Sequence, residues 1–451
     1  MHDDKGAGVG RGGVALLLLG VALVCSGAWA VTTEAQGGPA ADPWRGIAER
    51  YVKLVLAIGQ HDADYVDAFY GPAEWKTEAA RTKAPLPTLD QEAASLEGEL
   101  ARAAAAGDKA DGSMWTLRRQ YLKGQLGAIR ARLAMLQGKR FTFDEESKAL
   151  YDAVAPTHTE AEFEAVLKQL SDKLPGEGAL IDRYDRYKLG FVIPAARLGR
   201  VFQEAIRACR ERTQTFVSLP PTERFTVEYV TGKSWSGYNW YQGQYRSLIQ
   251  VNTDLPVYID RAVDLACHEG YPGHHVYNVL LEQHLMRERG WVEYSVYPLF
   301  SPQSLIAEGT ANYGIDVAFP QAERVAFERD VLFPLAGLDP AKAKEYYDVQ
   351  ALVDKLSYAG NEAARRYLNG SIDRDAAAAW IERYAMYPRP RAEQRVRFID
   401  QYRSYVINYN LGKDLVRAYV EKQAGRSPTT PARWRAFTAL LSSPRLPSGL
   451  Q

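Results

Sequence analysis

His268-Glu269-Gly270-Tyr271-Pro272-Gly273-His274-His275 holds three of the seven histidines of the chain, with a glutamate directly after the first. A His-Glu pair followed closely by another histidine, inside a helical pattern, is how a catalytic zinc site is commonly written in sequence. Two imidazoles hold the metal, and the glutamate beside the first is placed to deprotonate a metal-bound water. The regular spacing is H-E-x-x-H, because residues four apart share a helix face. Here the next histidine comes two or three residues late. On an unbroken helix His274 stands about 9 Å along the axis from His268 and far around the cylinder. That separation forbids a shared zinc with bonds of ~2.0–2.1 Å.

The residues between the histidines supply the remedy. Pro272 removes a backbone donor and opposes a regular turn, while Gly270 and Gly273 permit unusual backbone angles. A bulge that absorbs two residues returns His274 to the ligand position. One that absorbs three places His275 there instead. We favour His274, because Gly273-His274 then matches a common ending of the regular motif, and His275 is left for a contact behind the ligands or with substrate. Upstream, Tyr258–Ala266 is helical in pattern, with Val263, Ala266 and Cys267 on one face. A lone histidine on such a helix is more often a hydrogen-bonded core residue. Glu269 and two further histidines tip the balance to metal.

A third ligand is expected from Ala307-Glu308-Gly309-Thr310-Ala311-Asn312. Glu308 follows the apolar Leu305-Ile306 and so points into protein, where an unpaired carboxylate is costly. Gly309 and Ala311 are small enough to let this helix approach the metal helix. Asn312, one turn on, is placed to hydrogen-bond a ligating imidazole. His284, among Glu282, Arg287 and Glu288, reads as surface.

His268-Glu269…Pro272-Gly273-His274-His275 followed by Glu308-Gly309 resembles the bacterial domain-of-unknown-function 885 group, which is itself similar to the gluzincins, zinc peptidases with two histidines and a distal glutamate as ligands. The resemblance is strongest over 250–320, continues through Leu356-Ser357-Tyr358, and in the N-terminal third rests on helical character alone. It implies a mainly helical fold with a long substrate groove, one zinc ion and a peptide substrate. Asn312 stands where related sites often carry an aspartate. The resemblance further implies an oxyanion donor (a Tyr or His) about a hundred residues after the glutamate ligand. Tyr402, Tyr405 and Tyr409 fall in that window, with Tyr358 as a further candidate. With 27 tyrosines in the chain, packing alone is the competing role for each.

The remaining pattern bounds the fold. The chain has 451 residues, 46% hydrophobic and 24% charged, with Lys+Arg equal to Asp+Glu. Such a balance provides no global field for nucleic acid. Val14 to Val24 and Ala28-Trp29-Ala30 read as an export signal over 1–30, although Asp3 and Asp4 offset Lys5 and Arg11. Cleavage after Ala30 is favoured over lipidation at Cys25, and a periplasmic or secreted protein is expected. Residues 31–42 read as a linker, 43–220 as an N-terminal helical region, and 221–451 as the metal-binding region, the two packed around a groove.

Beyond the leader no apolar run is long enough to span a bilayer. Cys267 is expected to be a buried thiol, with a Cys209 bridge as the alternative. The pattern is mainly α, with helices at 47–58, 62–70, 89–107, 113–137, 159–173, 178–213 (broken at Pro194), 302–318, 341–370, 373–386 and 391–424. Alternation at Phe225–Thr231 and Ser247–Asn252 predicts a small antiparallel β element beside the metal helix.

Two features bear on substrate. Ser247–Asn252 is suited either to pair an extended peptide or to form an ordinary sheet edge. Arg389, Arg391, Arg395 and Arg397 can clamp a carboxylate or simply form a solvated helix face. A zinc hydrolase of a non-peptide ester or amide would use the same site. A non-catalytic zinc protein that binds peptides would have no need of Glu269.

Overall fold

Apolar residues at helical spacing become helices almost throughout a computed structural model of the chain, which describes residues 42–107 and 114–451. The export signal over 1–30, Cys25 and the linker up to residue 41 lie outside the described residues. Eight helices precede the sheet: α1 (Arg45–Ile58), α2 (Ala73–Thr82), α3 (Leu86–Gly107), α4 (Met114–Leu136), α5 (Phe143–Tyr151), α6 (Glu160–Lys173), α7 (Leu180–Leu189) and α8 (Ala195–Gln214). The break at Pro194 separates α7 from α8 as expected. Capping boxes of Thr142 with Glu145 and Thr159 with Glu162 start α5 and α6, satisfying amide donors that a helix end leaves open.

After the sheet come α9 (Asp260–Leu265), α10 (His274–Leu280), α11 (Pro302–Ala318), α12 (Gln321–Phe327), α13 (Phe333–Ala336) and α14 (Ala343–Asp354). The last five are α15 (Ala359–Leu368), α16 (Arg374–Tyr384), α17 (Arg389–Tyr402), α18 (Ile407–Ala424) and α19 (Thr430–Leu441). Pro43–Gln451 form one compact unit, with an apolar core running from Trp44 to Leu450. No helix among the described residues is long and apolar enough to cross a membrane.

Five short strands complete the fold: β1 (Val66–Phe69), β2 (Arg224–Val230), β3 (Gly237–Gly243), β4 (Arg246–Asn252) and β5 (Val296–Pro298). The expected antiparallel element is the β3–β4 pair, which β2 joins in parallel in the order β2-β4-β3. Two expectations are corrected here. Ser247–Asn252 lies in the central strand, so its hydrogen-bonding groups are already used and an added peptide strand has no place there. Asp62–Tyr70 is not a helix. Its second half is β1, paired antiparallel with β5 far downstream, and a long-range partner of that kind leaves no local periodicity.

Cys209 of α8 and Cys267 form a disulfide, with Cα atoms 5.7 Å apart. This overturns the expectation of a free buried thiol at Cys267. Packing of α8 against the turn that carries Cys267 brings the two cysteines together.

Helix α11 positions the rest. Every residue in it except Asn312 and Asp316 is buried, the mark of a helix surrounded by protein. Its principal neighbour is α18. The crossing is so close that a Cβ on Gly309 would lie 2.5 Å from the Gly412 backbone, and one on Gly412 would lie 2.9 Å from the Leu305 carbonyl oxygen. Gly309 therefore serves α18, which corrects the expectation that it lets α11 approach the metal helix. Gly314 instead faces Pro272. Backbone atoms cannot rotate aside as a side chain can, so Gly309→Ala is expected to destabilise the fold by about 1–3 kcal/mol or more. Urea unfolding of the two proteins side by side measures it, and unchanged stability would contradict so tight a crossing.

Candidate metal centre

Helix α9 runs into a π-helical turn, Ala266–Gly270, which carries both His268 and Glu269. Turns of this kind hold extra residues inside a helix and recur at functional sites. The chain then folds back through a cis Tyr271–Pro272 bond, and α10 restarts at His274. Gly273 is held between these pieces. Its amide donates to the Cys267 carbonyl at 2.9 Å, and an added Cβ would lie 1.8 Å from the His268 carbonyl oxygen. Only glycine fits there.

The result is convergence. His268 Nε2 and His274 Nε2 stand 3.1 Å apart. Glu308 Oε2, from α11, is 3.3 Å from the first and 3.7 Å from the second. Ligand atoms around a tetrahedral ion with bonds of 2.0–2.1 Å stand about 3.4 Å apart, and the three separations bracket that value. Glu308 Oε2 is also buried without a hydrogen bond, the condition of a carboxylate oxygen awaiting a cation. Glu269 belongs to the same cluster, its ligand atom within 4.8 Å of both imidazoles. Its looser spacing fits a neighbour of the ion, and Glu308 is the better third ligand. The donor set of two imidazoles and a carboxylate suits zinc.

Charge inside the site follows from burial and proximity. Burial pushes the Glu308 carboxyl up, but the adjacent His268 and His274 outweigh it and hold the group well below the usual carboxylate range. Burial alone would lower His274, yet Glu308 raises it to about 9. Burial pushes Glu269 up, against the opposing pull of both imidazoles. Gly237 of β3 makes room for this carboxylate, since a Cβ there would lie 2.8 Å from Glu269 Oε1. Asn239 Nδ2 donates to the Glu269 carbonyl at 2.7 Å and fixes the turn.

The other expected residues divide. Tyr405 Oη donates to Glu308 Oε1 at 2.8 Å, orienting the carboxylate so that Oε2 faces the imidazoles. Tyr409 packs beside Tyr405, ring centroids 5.9 Å apart, and lines the same cleft. Tyr358 does not, because its hydroxyl is directed to Asp414 at 2.7 Å. Asn312 is also corrected: its Nδ2 donates to the Glu308 and Tyr409 carbonyls, so it bridges α11 and α18 instead of hydrogen-bonding an imidazole. His284 pairs with Glu288 and plays no part in the site.

His275 points away from His268. It is fully buried, with Nδ1 2.9 Å from Ser247 Oγ and Nε2 3.0 Å from Glu223 Oε2. Glu223 also accepts from Tyr271 at 2.6 Å and pairs with Arg210. Burial raises this carboxyl, but His275, Tyr271 and Arg210 together bring it down to about 2. His275 thus bolts α10 to the sheet.

Three cleft residues escaped the sequence. Asp67 of β1 accepts a hydrogen bond from Tyr238 of β3, and burial raises its carboxyl to about 6 against that bond. Tyr297 of β5 stands nearby, its hydroxyl on Ser304. Asp67 and Tyr297 come from β1 and β5, strands that pair with each other across more than half of the chain, and Tyr238 comes from β3, which meets β1 only in the folded protein. Together with α11, α17 and α18 these strands enclose a cleft of about 1180 Å³ over the metal site.

Adjacent histidines give a sharp comparison. His274→Ala is expected to abolish stoichiometric zinc binding. His275→Ala should retain zinc but lose about 1–3 kcal/mol of stability by depriving buried Glu223 of a partner. Metal analysis beside thermal unfolding separates the two, and zinc loss in both variants would sink the division of roles.

No protein-family model and no curated protein matches the chain. Among solved structures it is similar to a candidate lipoprotein from Colwellia psychrerythraea, at 14% identity and TM-score 0.48, over 88% of this chain and 74% of that one. It is also similar to the protein described as BsuCP, at 10% identity and TM-score 0.49, over 89% and 88%. A candidate lipoprotein of unknown function from Shewanella oneidensis is similar at 14% identity and TM-score 0.40, over 87% and 82%.

Proposed function

We propose that the chain is an exported zinc-dependent hydrolase of peptide bonds. One observation carries this reading: two imidazole nitrogens and an otherwise unpartnered buried carboxylate oxygen, mutually 3.1–3.7 Å apart, face one point beneath the cleft. His268, His274 and Glu308 would hold the zinc. The ion, when bound, supplies Lewis acidity that acidifies water and polarises a carbonyl.

The protein's own groups do the rest. Glu269 makes no side-chain hydrogen bond within the described residues, and burial raises its proton affinity. It is therefore suited to take a proton from water and return it to the departing amine. Tyr405 is committed to Glu308 and positions that ligand. The Tyr409 hydroxyl has no partner among the described residues and is free to donate to a developing oxyanion. Strand β3 is the sheet edge that borders the cleft, so an extended peptide has a backbone to lie along. The Cys209–Cys267 bridge supports export, because such bonds persist in oxidising compartments.

Glu269→Gln keeps the ligand set and removes the base. The variant is expected to bind one zinc per chain and to lose about 10²–10⁴-fold in peptide hydrolysis. Metal content and turnover on a peptide library are the two readouts. Full turnover by this variant would refute the role assigned to the glutamate.

A further inference from the structure

Four arginines crowd the start of α17, and the structure treats them differently. Arg389 is ion-paired with Glu393 and Asp375 outside the cleft, and Arg397 is exposed. Arg391 and Arg395 lie one turn apart on the face that lines the cleft. Neither has an ion pair or a side-chain hydrogen bond within the described residues. Both are held by aromatic rings instead: Arg391 over Tyr387 at 4.9 Å, Arg395 over Phe398 at 4.7 Å and Tyr409 at 5.6 Å.

Stacking fixes a guanidinium while leaving its N–H fork free, and that fork matches a carboxylate bidentately. The surroundings do not neutralise it. Burial would raise the Tyr387 phenol, yet Arg391, Arg395, Arg261 and Lys188 bring it below its ordinary value. Of these, Arg261 has Asp264 at 3.1 Å, and Lys188 does not line the cleft. The two α17 arginines are the uncommitted pair.

They also stand close to the chemistry. Between them, Gln394 donates to the Lys233 carbonyl at 3.2 Å, at the lead into β3, and β3 brings Gly237 against Glu269. Arg395 reaches Tyr409, whose ring abuts Tyr405 on Glu308. We propose that Arg391 and Arg395 form a subsite for a carboxylate of the peptide substrate, borne near the cleaved bond. This rests on the peptide-hydrolase reading and narrows it to a substrate class. The carboxylate is either the peptide's C-terminal group or an Asp or Glu side chain.

The test uses N-blocked tripeptides ending in a free carboxylate or a carboxamide, and carboxamides with an internal Asp or Asn. Affinity is measured by calorimetry on the full chain carrying Glu269→Gln, and kcat/KM on the unaltered chain. At least one carboxylate-bearing peptide should bind about 10- to 100-fold more tightly than its neutral partner, as suits hydrogen bonds to a charged group. A free-terminus preference identifies the α-carboxylate, and an Asp-over-Asn preference identifies a side chain. Arg391→Gln and Arg395→Gln should each erode that preference without weakening the neutral peptides, and Arg389→Gln should leave it intact. Equal binding of acid and neutral peptides, or no binding of either, overturns the subsite without requiring any arginine variant to fold. Carboxylate preference that survives both substitutions overturns it as well. Arginine-dependent binding with no cleavage of any peptide would instead leave the subsite standing and remove the hydrolase reading.

Discussion

Gly309 and Gly412 meet backbone to backbone where α11 crosses α18, and nothing larger than hydrogen fits on the facing side of either residue. Glu308 precedes one of these glycines, and Tyr405 and Tyr409 lie within two turns of the other. The crossing distance therefore fixes where the carboxylate stands relative to the two phenols. Asn312 reinforces it by giving hydrogen bonds to a carbonyl on each helix. A wider crossing would part Tyr405 from Glu308 and let the carboxylate turn. The metal site inherits its accuracy from a contact that contains no side chain.

Burial sets the electrostatic character. A helix enclosed on nearly every side leaves Glu308 only 6% exposed, and a buried carboxylate lacking a counter-charge is costly. Two imidazoles meet that need in part, which is why His274 holds its proton so firmly. The same attraction suits a dication at that point. Behind the site the opposite arrangement holds: Glu223 is satisfied by His275, Tyr271 and Arg210. Neighbouring histidines in the chain thus serve two carboxylates, one poised for an ion and one closed.

Local signals in the sequence carried far. Periodicity placed α11 at its observed bounds, and the Pro272–Gly273 pair was enough to anticipate that the helix must break for His268 and His274 to meet. Residues whose role depends on a partner far along the chain were hidden. Asp67 reads as helical until β5 supplies its pairing. Ser247–Asn252 alternates as any strand does, and only the strand order shows it to be central. Gly309 was recognisably a close-contact residue, but the helix it touches could not be named. Asn312 and Tyr358 carried the right chemistry for the site, yet neighbouring carbonyls and Asp414 had already engaged them. The arginines of α17 look alike in sequence because orientation about the helix, not residue type, separates the paired from the free.

The π-helical turn at Ala266–Gly270 lets the chain lengthen between two ligands while the ligands themselves stay put. What such a centre preserves is a triangle of donor atoms, and the count of intervening residues is free to drift wherever a turn can swallow the surplus. Pattern searches keyed to a fixed interval will pass over proteins built this way, whereas a search on donor-atom geometry finds them.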